Sequence, residues 1–202
     1  MTTQRWWWVV TLNLVAACGD NAATTATDLN FGTLGPLIGA AGKTSFRFGA
    51  ASAATQIEDQ NRNVDWFTWT QPVADGGLGK GEFIRDAVRG YTQATADTQL
   101  VKDMNLDSYR FSIEWARIEP TRGHIDEAAI AHYRAQLQQL HTLGIRPMVT
   151  LHHFSNPVWV ADPHVPDCVA AAVTPSDTNL CGLGQPTGGA MVIDAMAGHA
   201  KL

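Results

Sequence analysis

"DEAAIAHYRAQLQQLHTLGIRPMVTL", residues 126–151, holds a helix and a strand joined by one glycine. Ile130, Tyr133, Leu137 and Leu140 recur at helical spacing, and Asp126 and Glu127 open the first turn, where negative charge favours the helix dipole. Gly144 marks the stop. "IRPMVTL" (145–151) then reads as a short, mostly apolar strand. Working backwards, "SYRFSIEW" (108–115) alternates Tyr109, Phe111 and Ile113 with Arg110, Ser112 and Glu114, a strand with two unlike faces. Before it, Leu100, Val101 and Met104 give helical spacing to the second half of 83–106, and "SFRFGAASA" (45–53) is a strand that dissolves into small residues. Strand and helix alternating at this pitch predict βα units on a parallel sheet.

In such sheets chemistry gathers where strands end and loops begin. The unusual polar residues fall there: Gln56 and Glu58 after the first strand, Arg110 to Trp115 on the second, His152 to Asn156 after the third. His152 and His153 are adjacent, so on an extended chain they face opposite ways and do not share one ion; no third ligand stands at a zinc-like interval. One histidine facing a cleft and one packed outward fits better, with a structural role open for either. Arg110, set among apolar neighbours, needs a partner. That partner is Glu114 or another carboxylate in a structural ion pair, or a catalytic carboxylate that Arg110 orients. Gln56 follows small residues that let a ligand approach the backbone, and its amide can read neighbouring hydroxyls.

Length and composition set the outer limits. The 202 residues are 45% hydrophobic, enough for one core, and the net charge of -5 leaves no basic footprint for nucleic acid. Seven Trp and seven Phe can fill a core or line a carbohydrate cleft. At the N-terminus, Arg5 and the apolar "WWWVVTLNLVAA" end in "LVAAC", small residues directly before Cys18. Residues 1–18 therefore resemble a bacterial lipoprotein signal, with Cys18 as the lipidated residue and the protein held on a periplasmic or cell-surface membrane. An ordinary cleaved signal, leaving a secreted protein, is the alternative. Residues 19–44 are rich in Ala, Thr and Gly and read as a flexible tether, and 45–202 as the folded part. Cys168 and Cys181, in an exported compartment, are a candidate disulfide.

Three stretches together resemble glycoside hydrolase family 1, the β-glucosidase family: "FRFGAASAATQIED" (46–59), "YRFSIEWARIEP" with "RG" (109–123), and "GIRPMVTLHHFSNPVW" (144–159). "VIDAMAGHAKL" (192–202) is similar to the start of that family's next helix. The resemblance implies an incomplete (β/α)8 TIM barrel, its first three βα units, and an activity: hydrolysis of a β-glycoside with retention, in carbohydrate catabolism. It implies that Gln56 and His153 bind hydroxyls of the sugar, that Phe154 walls that subsite, and that Arg110 supports the nucleophilic carboxylate. No cofactor or metal is implied. The substrate partner is a β-glycoside or oligosaccharide.

Retaining hydrolysis needs two carboxyl groups about 5–5.5 Å apart. The family carries them in an Asn-Glu-Pro and a Glu-Asn-Gly motif, and neither tripeptide occurs in this sequence. The expectation is a fragment, inactive alone, with an unpaired edge on its third strand and poor solubility. Two alternatives stand beside it: a non-catalytic sugar-binding surface lipoprotein, and one half of a split glycosidase whose second chain supplies the remaining strands.

Overall fold

The computed structural model describes residues 47–86, 88–165, 174–199 and 201. All of them lie in one compact unit, Phe46–Leu202. Three strands, β1 (Gly49–Ala51), β2 (Ser108–Ser112) and β3 (Arg146–Thr150), form a parallel sheet in the order β1-β2-β3. Among the described residues β1 and β3 are its edges. Among the described residues three α-helices, α1 (Ala54–Ile57), α2 (Asp65–Thr70) and α3 (Ala94–Asp103), and a 3-10 turn (Val73–Asp75) lie between β1 and β2; between β2 and β3 lie α4 (Trp115–Ile118) and α5 (Glu127–Thr142). A last helix, α6 (Pro186–His199), follows β3.

The alternation in β2 sorts its side chains as expected. Tyr109 and Phe111 are buried against Val101, Ile118, Ala129, Tyr133, Leu140 and Ile145, with Ala50 of β1 and Val149 of β3 beside them. This is the helix-facing core. The residues between them, Arg110 and Ser112, face the other side of the sheet, where Met148 of β3 lies level with Arg110 and remains 64% exposed. The first contact with β1 is close: a Cβ on Gly49 would stand 2.2 Å from Ser108 Oγ, so only glycine lets the two strands approach.

The 126–151 segment folds as its chemistry dictates. Asp126 caps α5, its carboxylate accepting from the N–H groups of Ala128 and Ala129 at 2.9 and 3.1 Å. Gly144, at φ +72°, turns the chain out of the helix and into β3. The buried stripe of α5 is Ala129, Tyr133, Gln136 and Leu140, while Ile130 and Leu137 flank it half-buried.

Elsewhere tertiary packing overrides the pattern. In α3 the buried positions are Ala94, Thr98 and Val101, so Leu100 and Met104 are exposed. The second strand stops at Ser112, because Glu114 turns its carboxylate onto Ala116 N and starts α4. The helix expected from residue 192 begins at Pro186, packed so tightly that a Cβ on Gly188 would overlap the Leu180 carbonyl. It joins a second core of Trp115, Trp159, Val160, Leu180 and Val192. Cys181 is disulfide-bonded. Cys168, its expected partner, and Cys18 lie outside the described residues, as do the proposed signal and tether.

Candidate functional site

The three strands end side by side, and the residues singled out from the sequence sit in the segments that leave them. Arg110, on β2, reaches across to β3. Its Nε–H donates to Thr150 Oγ1 at 2.9 Å, and its Nη2 lies 2.9 Å from His153 Nδ1. A guanidinium only donates, so His153 Nδ1 is the acceptor and the neutral imidazole carries its proton on Nε2. Among the described residues Nε2 has no hydrogen-bond partner, and it is left as a donor for a ligand. Arg110 makes no ion pair with Glu114 or any other described carboxylate.

His152 turns the other way. Its Nε2 meets Asn156 Oδ1 at 3.1 Å, and its ring stands edge-on to Trp115. The two histidines therefore serve different environments. Between His153 and Ser155 the chain makes a tight turn: Ser155 N–H donates to His153 O at 2.7 Å, and Phe154 sits at φ +52°. A bulky residue in the left-handed region is strained by about 1–2 kcal/mol and persists only where its surroundings fix it. Here Phe154 packs edge-on to both His153 (centroids 4.7 Å apart) and Trp66 (5.4 Å) and stays 43% exposed.

Gln56 lies exposed in α1, directly after β1. Its neighbour Thr55 ties this segment to the others through Glu114. The Glu114 carboxylate, 2% exposed, accepts from Thr55 Oγ1 (2.7 Å), Asn61 Nδ2 (3.0 Å) and Ser155 Oγ (3.2 Å). One buried carboxylate thus holds the segments after β1 and β3 against the end of β2. Beside it Glu58 accepts from Arg117 Nε at 2.7 Å and from the Tyr133 hydroxyl at 2.9 Å. Burial pushes the Glu58 carboxyl up to about 7, against the opposing pull of Arg117. A third link is Asp65, which accepts from Asn156 N and Nδ2, both at 3.0 Å, and donates its own N–H to Asn156 O at 2.8 Å. Burial raises the Asp65 carboxyl to about 6.

The sequence singles out Arg110, Gln56, His153 and Phe154, and places Glu58 and Glu114 at the strand ends without their supporting contacts. Glu114 was visible as an acid at a strand end; that its partners come from residues 55, 61 and 155 is a non-local fact. Trp66 and Asp65 stood in a connection read only as long. Among the described residues no three His, Cys, Asp or Glu side chains converge as metal ligands would.

The segments that leave the strands thus present the His153 Nε2, the exposed Gln56 amide and the part-exposed ring of Phe154, on a frame of buried carboxylates. Comparison with known proteins gives a consistent match. The family model for glycosyl hydrolase family 1 matches residues 42–164. A furostanol glycoside 26-O-beta-glucosidase of Hellenia speciosa is 39% identical over 127 residues, covering 58% of this chain and 22% of that protein. Beta-glucosidase 10 of Arabidopsis thaliana is 36% identical over 123 residues, covering 58% and 24%. Among solved structures, the beta-glycosidase BGL167 superposes with a TM-score of 0.51 at 41% identity, over 56% of this chain and 26% of that one. A beta-glycosidase from Pyrococcus horikoshii gives 0.51 at 37%, over the same shares. The chain spans about a quarter of the length of the relatives it matches.

Proposed function

The chain belongs to glycosyl hydrolase family 1, and from that premise we propose that its three strand ends bind the sugar of a β-glycoside as one wall of a hydrolytic pocket. The contact between Arg110 and His153 carries this reading. It fixes the His153 tautomer, so that Nε2–H points its donor capacity at a ligand hydroxyl, while Gln56 offers an amide that both donates and accepts. Phe154 supplies an apolar wall beside them. The test is a titration of the 202-residue chain with methyl β-D-glucoside, followed by ligand-observed NMR. His153→Ala and Gln56→Ala should each weaken binding by about tenfold, the loss of one good hydrogen bond to a bound ligand. Binding that neither substitution alters refutes the assignment.

Bond cleavage needs two further carboxyl groups. Glu58 and Glu114 do not supply them in this reading, because both are buried, Glu114 holding three side chains together and Glu58 accepting from Arg117 and Tyr133. Carboxylates from a longer chain or a second chain would complete the reaction, and Arg110 would then hold the nucleophile ionised. The 202-residue chain alone should release no phenol from an aryl β-glucoside.

We also propose that the protein is exported and anchored through Cys18, on the strength of the "LVAAC" stretch. Cys18→Ser should move it from the membrane fraction to the soluble one. Membrane association that survives this substitution refutes the anchor.

A further inference from the structure

We propose that His164 is a proton-operated latch: its charged ring fastens the loop around Gly76 to the segment that follows β3, and loss of one ring proton releases that loop. Neither residue belongs to the strand-end site, so the latch stands apart from the sugar-binding reading.

The two contacts of the ring demand a charge. His164 Nδ1 lies 2.9 Å from Asp162 Oδ1, and Nε2 lies 2.9 Å from Gly76 O. An ionised carboxylate and a backbone carbonyl only accept, so both ring nitrogens donate, and only the imidazolium carries two N–H groups. A neutral ring keeps one donor and turns a lone pair on the other acceptor. The Asp162 carboxylate is the stronger acceptor, and it also holds its place by accepting from His164 N at 2.9 Å. The bond that deprotonation gives up is therefore the one to Gly76, which spans 88 positions of sequence.

That bond ties the loop to a distant part of the chain. Among the described residues, the other hydrogen bonds of 72–80 run within the loop or back to residues 68–71. Gly77 N–H donates to Pro72 O (3.1 Å), Leu78 N–H to Thr68 O (3.0 Å) and Lys80 N–H to Trp69 O (2.9 Å). Val73, in the 3-10 turn, is 72% exposed and adds no apolar anchor. Asp162 is the ion-pair partner of the ring. Among the described residues the loop's own charges, Asp75 and Lys80, form no ion pair with it. Asp177, close to the Asn179 side chain that meets Asp162 N, is paired with Arg122. The hydrogen bond to Gly76 and the Asp162 carboxylate hold the ring above the usual histidine value of 6.5. The latch is thus fully fastened below that value and is lost as pH climbs through the raised one.

An NMR titration of the 202-residue chain reads both ends of the contact. The His164 ring nitrogens and the Gly76 carbonyl carbon, observed through the Gly77 amide, should shift together, with one midpoint above pH 6.5. Asp162→Asn keeps a side-chain oxygen without its charge and should lower both midpoints together. His164→Phe alters an exposed position, and the Gly76 carbonyl should then stop titrating. Asp65, at the start of α2, changes charge near pH 6, and this variant separates its effect. A Gly76 shift that persists in His164→Phe belongs to another group and overturns the latch. So does a His164 ring that titrates while Gly76 stays still, or one whose midpoint lies at or below 6.5.

Discussion

Arg110 and His153 are joined across two strands by a 2.9 Å contact in which the guanidinium donates and the imidazole Nδ1 accepts. Arg110 is itself steadied by Thr150, two residues beyond its register partner Met148 on β3, so the donor does not wander. A histidine alone would divide its proton between two nitrogens. Here a neighbour with no acceptor capacity decides the matter.

That relationship predicts a spectrum. In long-range proton–nitrogen correlation of the neutral ring, His153 should show the Nε2–H form. Arg110→Met should increase the Nδ1–H share, since the acceptor role of Nδ1 is then no longer enforced. A wild-type ring protonated on Nδ1 would contradict the geometry.

The Glu114 hub predicts a large stability loss. Glu114→Ala orphans the hydroxyl of Thr55 and the amide of Asn61 and leaves the Ser155 hydroxyl only its longer bond to His153 O at 3.3 Å. An unsatisfied buried polar group costs about 1–3 kcal/mol, so the variant should lose roughly 3–5 kcal/mol in urea unfolding after partial relaxation. Glu114→Gln keeps the shape but opposes an NH2 to donors, and should lose less, about 1–3 kcal/mol. A Glu114→Ala loss below about 0.5 kcal/mol would show that the three segments hold together without the carboxylate.

What the sequence disclosed follows from the range of the forces. The two faces of β2, the capped start of α5 and its glycine stop are set by neighbours a few residues away, so Tyr109, Asp126 and Gly144 could be read directly. The βα order fixed which residues come to the strand ends, and that placed Arg110, Gln56 and His153 in one region. Which of them touch was not legible. Arg110 was expected to need a carboxylate and instead finds an imidazole and a hydroxyl, because β3 brings Thr150 and His153 within reach. Leu100 and Met104 looked like a core face, but α3 packs through Ala94, Thr98 and Val101. The choice between two faces of a helix was made by the sheet it rests on.

The open side of the sheet predicts self-association. Met148 is 64% exposed and Leu151 42% exposed, at and just beyond β3, whose outer edge has no partner strand among the described residues. Unpaired strand edges with apolar neighbours template contacts between molecules. Sedimentation velocity of the 202-residue chain should show concentration-dependent oligomers. Met148→Lys should shift them toward monomer, since a charge on this face opposes stacking in water. A monodisperse wild-type monomer across the concentration range would contradict this.

The contribution of Glu58 and Asp65 to stability should fall as pH rises toward neutral, the reverse of the usual carboxylate behaviour. Burial lifts Glu58 from 4.5 to about 7 despite Arg117, and lifts Asp65 from 3.8 to about 6. Between each pair of values the folded chain keeps a proton that the unfolded chain has released. The stabilisation is therefore complete below the lower value and is lost as pH climbs through the higher one. For Glu58, 7% exposed, the difference amounts to roughly 3 kcal/mol between about pH 4.5 and pH 7. Urea unfolding at pH 5 and pH 8 should show that Glu58 and Asp65 together make the protein less stable at the higher pH than variants lacking their carboxyls. Glu58→Gln, which imitates the protonated carboxyl, should flatten most of that slope, and Asp65→Asn should flatten the part below about pH 6. Burial holds the His132 and His199 rings below the ordinary histidine range, which opposes this slope, so the Glu58 contribution is read from the variant: a slope that Glu58→Gln leaves unchanged would mean that Arg117 holds Glu58 ionised in the folded state.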